Sequence, residues 1–137
     1  MGTAEGALIV SILALLISGY SIFAGRRERD HRQRADAAAE LDQALLAYDS
    51  LSSRISTELV TPGDQLVQDF TAAGVRLQSS TRGVPDHRIE AAVSAFREAA
   101  DATILIRDED RSAAFDKKWE TRDAALELIL KYRRKQA

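Results

Sequence analysis

The chain has 137 residues, 45% of them apolar and 29% charged, with 23 Ala, 15 Arg and only 4 Lys. That is the length and composition of one folded domain or one domain plus an appendage, neither disordered nor fibrous. The absence of Cys excludes disulfides, thiolate metal sites and Cys nucleophiles, and a net charge of −2 offers no general field for nucleic acid. The balance of 21 acids against 19 bases hides an uneven distribution, because residues 1–25 carry a single charge, Glu5.

Residues 1–6 read as a short extracytoplasmic tail. From Ala7 to Gly25 the sequence ALIVSILALLISGYSIFAG carries no charge over nineteen residues. At ~1.5 Å per residue such a helix is about 28 Å long, against a hydrocarbon core of roughly 30 Å, so it reads as a transmembrane helix. A cleaved signal peptide would need a basic start, and residues 1–6 contain neither Lys nor Arg. Beyond the span come Arg26, Arg27, Arg29, Arg32 and Arg34. The arginine-rich flank stays in the cytoplasm, so a single-pass protein of the cell membrane is expected, N-terminus outside and C-terminal domain cytoplasmic. Ala7, Ser11, Ala14, Ser18, Ser21 and Gly25 recur three or four residues apart and define a possible transmembrane association face, for a homodimer or a larger membrane complex.

Residues 26–37 are polar or Ala and read as a basic helical stalk. Residues 38–137 read as a helical bundle, with helices predicted at about 38–60, 62–80, 86–106 and 109–135. In the first, Leu41, Leu45, Tyr48, Leu51, Ile55 and Leu59 give the inward stripe. Thr61 is the expected N-cap of the second, with Pro62 at its first position and Asp64 in its first turn. Its stripe is Leu66, Phe70, Ala73 and Leu77, and a loop follows through Pro85. Ile89, Val93, Phe96, Ala100 and Ile104 face inward on the third. Asp108-Glu109-Asp110 reads as an acidic turn, and the fourth carries Phe115, Trp119, Leu126, Ile129 and Tyr132 inward. The fold class is all-α, a transmembrane helix continuing into an antiparallel up-down four-helix bundle. At ~1.5 Å per residue the last helix returns to about 10–20 Å from the bilayer, one or two Debye lengths.

Chemistry is thin in this sequence. Asp108 does not open a calcium loop, since the sixth and twelfth positions are Ala113 and Trp119 rather than Gly and Glu. His31 and His87 are the two histidines, with no His-x3-His or His-Glu-x-x-His spacing and no pair of Glu-x-x-His motifs of the di-iron kind, so no metal site is expected. No phosphate loop, nucleophile elbow or dinucleotide fingerprint occurs, so no cofactor, small-molecule substrate or catalysis is expected. Phe70, Phe96, Phe115 and Trp119 read as packing residues. Positions where membrane lipid would be met are Arg26, Arg27 and Arg29 beside the span and Lys131, Arg133, Arg134 and Lys135 at the end. The expected function is a membrane-anchored interaction or accessory-subunit protein. The alternative is an element that binds or organises the anionic membrane surface, with an enzyme a remote third. The Ala and Arg excess fits a high-GC bacterial source.

Overall fold

A computed structural model describes residues 2–58, 63–105 and 110–136, with side chains from residue 6 onward. Four α-helices and no strand occur among the described residues: α1 (Gly2–Thr57), α2 (Gln65–Arg82), α3 (His87–Leu105) and α4 (Arg111–Gln136). The chain divides into two compact units, Met1–Gln33 and Arg34–Ala137.

The first unit is the N-terminal part of α1, whose backbone is already helical at Gly2 within the segment read as a tail. It holds an apolar window of mean hydropathy 2.3, none of it buried. From Leu8 to Phe23 every large apolar side chain is exposed, the least so being Ile12 at 49%. The helix satisfies its own backbone hydrogen bonds, and it is long and apolar enough to cross a membrane.

The second unit is a helical bundle around one apolar core. From α1 come Ala38, Leu41, Ala44, Leu45 and Tyr48, from α2 Ala73 and Leu77, from α3 Ile89, Val93, Phe96 and Ala100, and from α4 Ala125 and Ile129. The three- and four-residue spacings put each set on one helix face. Burying each Leu, Ile or Phe contributes roughly 1.5–3 kcal/mol, and the alanines let the helices approach. Past Tyr48 the apolar stripe of α1 drifts off the core. Ser52 is fully buried, while Leu51 and Ile55 are only partly covered.

The bundle helices start where the local chemistry allows. Asp64 sits at the N-cap of α2, with φ −69° and ψ 147°, rather than in its first turn, and its carbonyl accepts from the amides of Val67 and Gln68. Thr61 and Pro62, expected to open this helix, lie outside the described residues, as do Leu59, Asp108 and Glu109. Asp86 caps α3, its Oδ1 accepting from the amides of Arg88 at 2.9 Å and Ile89 at 3.4 Å. Such a cap contributes about 1 kcal/mol.

Trp119, expected in the core, is 46% exposed. Its neighbour Lys118 is fully buried in its place. The inward register of α4 runs through Lys118, Ala125 and Ile129, and Trp119 is one residue off that face. Partners along α1 descend in number as α4 ascends: Arg111 meets Ser56, Lys118 meets Ser52, Arg122 meets Asp49 and Arg133 meets Asp42.

Candidate functional site

Two adjoining cavities run along the seam between α2 and α3, of about 540 Å³ and about 460 Å³. Each falls within the usual size of a ligand cleft, roughly 300–1,000 Å³. Gln78 and Arg97 line both. At the floor of the second, the Tyr48 hydroxyl donates to Asp101 Oδ1 at 2.5 Å. Its ring packs against Phe70 at 4.8 Å and edge-on against Phe96 at 6.1 Å between centroids. The Arg97 guanidinium lies 5.9 Å from the centroid of the Tyr48 ring, a cation–π distance.

Gly74 makes this arrangement close-fitting. A Cβ there would stand 3.4 Å from Arg97 Nη2 and 3.5 Å from Tyr48 Cε2. The rim is apolar, with Val75 61% and Leu105 80% exposed. Burial, reinforced by the Asp101 carboxylate, pushes the Tyr48 phenol well above its ordinary range. The phenol therefore keeps its proton near neutrality, the wrong direction for a nucleophile or general base. The cleft offers an aromatic floor, a guanidinium and an apolar rim.

A second polar cluster joins α1 to α4. Lys118 Nζ lies 3.2 Å from Asp49 Oδ1 and donates to Ser53 Oγ at 2.7 Å and Ser52 Oγ at 3.3 Å. It also sits 5.0 Å from the Phe115 ring centroid. Arg122 Nη1 reaches Asp49 Oδ2 at 3.0 Å, so one carboxylate serves two cations. Burial opposes the Arg122 charge, but Asp49 and Asp123 outweigh it and raise its pKa. Asp49 Oδ1 is buried and makes no hydrogen bond, so the Lys118 contact is an ion pair without hydrogen-bond geometry. Every charge here is matched within the protein, as a structural seam requires.

Comparison with protein-family models, curated proteins and solved structures returned no match. The residues singled out in the sequence distribute as follows. Arg26, Arg27 and Arg29 are exposed in the first unit. Ala7, Ser11, Ala14, Ser18 and Ser21 are also exposed, and Gly25 is half-exposed. The Ser11 hydroxyl donates to the Ala7 carbonyl at 2.9 Å, back-bonding within the helix rather than offering itself to a neighbour. In the second unit Arg133 pairs with Asp42 at 3.8 Å, which turns it toward α1. Lys131, Arg134 and Lys135 instead line a depression of about 250 Å³, joined by Arg88 from the start of α3.

Tyr48 and Arg97 carry no signal in the sequence beyond helical spacing. Tyr48 read as core, which it is, and its polar end meeting Asp101 across 53 residues is a tertiary fact. Arg88 was equally silent, one arginine among fifteen.

Proposed function

We propose that the protein is a single-pass membrane protein whose helical bundle is an interaction module, an accessory subunit or a scaffold rather than an enzyme. The observation that carries this reading is the open seam between α2 and α3, a cleft with an apolar rim on a bundle whose buried charges are otherwise internally matched. Grooves of this kind seat an amphipathic helix or an extended apolar segment. The anchor rests on the uncovered apolar window of α1, and its arginine-rich C-terminal flank supports a cytoplasmic bundle with the N-terminus outside. An up-down-up-down arrangement agrees with the opposed numbering of the α1 and α4 partners. The small residues from Ala7 to Gly25 provide a second contact surface, for a copy of the chain or another membrane subunit.

A photo-crosslinking side chain placed at Val75 in the full-length protein in its host membrane tests the reading. A discrete adduct from Val75, absent from an equivalent probe at exposed Asp123 on α4, supports it. Equal and diffuse labelling from both positions refutes it. Protease added to the outer face of intact cells should leave the bundle uncut; digestion would reverse the proposed orientation.

A second reading, contact with anionic lipid, is favoured by the way Arg88 joins the C-terminal cations around one depression. The flanking Arg26, Arg27 and Arg29 would add roughly 1 kcal/mol each near an anionic surface.

A further inference from the structure

We propose that Arg88, Lys131, Arg134 and Lys135 form a binding site for a phosphate group, in the first instance the headgroup of an anionic phospholipid. This deepens the lipid-contact reading and rests on it.

The four cations come from two elements far apart in sequence, the first turn of α3 and the last turns of α4, and line one depression. The run from Lys131 to Lys135 alone could be a solvated helix end; the convergence of Arg88 on it is not explained by helix-dipole chemistry. Among the described residues no ion pair engages Arg88, Arg134 or Lys135, and Lys131 has only the exposed i,i+4 contact with Glu127 at 3.2 Å. Exposed pairs of that kind hold a side chain weakly, so Lys131 can swing to a ligand. Among the described residues the one acid lining the depression is Asp86, which already accepts from two α3 amides through Oδ1. The amino end of α3 adds its partial positive charge to the same place.

Size narrows the ligand. About 250 Å³ is below the usual range for a drug-sized molecule and suits a compact anion. Arg88 and Arg134 can each offer a planar fork to phosphate oxygens, and the lysines supply point charge. Leu128 and the half-buried Tyr132 complete the depression with apolar surface, against which the glycerol end of a lipid can rest.

The test uses the full chain in phosphatidylcholine nanodiscs with and without a minor fraction of phosphatidic acid, with native mass spectrometry counting retained lipid. Hydrogen exchange of residues 128–136 gives a second readout. Wild type should retain phosphatidic acid and show slowed exchange in its presence. Arg88→Gln should lose about five-fold in retention, the contribution of one cation near an anionic surface, and Arg88→Lys, which keeps the charge without the fork, should fall between wild type and Arg88→Gln. The triple variant Arg26→Gln, Arg27→Gln, Arg29→Gln should leave the slowed exchange of residues 128–136 in place. Unaltered retention and exchange in Arg88→Gln would overturn the site while leaving a general lipid attraction standing. No preference for phosphatidic acid in wild type would remove the lipid reading itself. Pyrophosphate added to phosphatidylcholine nanodiscs separates the sources: Arg88-dependent protection by pyrophosphate, with none by phosphatidic acid, keeps the phosphate site and assigns it a free phosphate. Protection by neither overturns the proposal.

Discussion

Asp49 and Lys118 form an ion pair whose two halves should respond unequally to removal. Lys118 is fully buried, and its ammonium faces Asp49, two serine hydroxyls and the Phe115 ring. Asp49→Ala leaves that ammonium buried with two hydroxyls and an aromatic ring but no counter-charge, and an uncompensated buried charge costs about 3–5 kcal/mol. Lys118→Met is a different perturbation. The methionine fills a similar volume, Asp49 keeps Arg122 at 3.0 Å, and Ser52 keeps its bond to the Asp49 carbonyl at 2.8 Å. Removing the desolvated ammonium offsets the lost attraction, so the expected change is within about 1.5 kcal/mol of zero. The double variant should be more stable than Asp49→Ala alone, a coupling of at least ~1.5 kcal/mol in a double-mutant cycle. Trp119 is the single tryptophan and adjoins Lys118, so its fluorescence through a urea titration of the full chain in nanodiscs reports on this seam. If Lys118→Met proves as destabilising as Asp49→Ala, the ammonium contributes net stability and the reasoning fails.

Four further outcomes follow from the core and the cleft. Phe96→Ala, at a fully buried position, should cost about 3–5 kcal/mol in the same titration. Gly74→Ala should be neutral or stabilising by up to about 1 kcal/mol, because the added methyl meets Arg97 and Tyr48 at 3.4 and 3.5 Å, ordinary contact distances, while helix propensity improves. A longer side chain there, such as Leu, should displace Arg97 and close the cleft to the Val75 crosslinker. The raised Tyr48 phenol sets an alkaline limit: a folded-state value above that of the unfolded chain gives stability present below about pH 10 and lost as pH rises beyond it. Unfolding titrations across that range should show the loss in wild type and a shallower one in Tyr48→Phe.

Helices were legible in the sequence because their signals are local. Spacings of three and four marked Leu41, Leu45, Tyr48, Ile89, Val93 and Phe96, all of which are buried. The apolar window was legible from hydropathy alone. The register of α4 was not. Its largest side chain, Trp119, lies beside the buried face, and the residue on that face is a lysine. Nothing in a helical wheel shows that Asp49, three helices earlier in the chain, will neutralise Lys118. The same applies to the cleft, where Arg97 and Asp101 are ordinary surface-type residues until tertiary packing brings Tyr48 between them. The basic depression was half legible: Lys131, Arg134 and Lys135 stand out as a run, while Arg88 and the diversion of Arg133 toward Asp42 depend on the fold.

The contrast between Lys117 and Lys118 carries into covalent labelling. With so few lysines, two stand side by side on α4, one exposed and the other sealed against α1. An amine acylating reagent should modify Lys117 in the folded chain while Lys118 reacts only when α4 lifts from α1. The ratio of the two adducts, read by mass spectrometry on one peptide, is a clock for that opening with its own internal reference. Anything that seats on the bundle and tightens it should slow the Lys118 hand of the clock and leave Lys117 running.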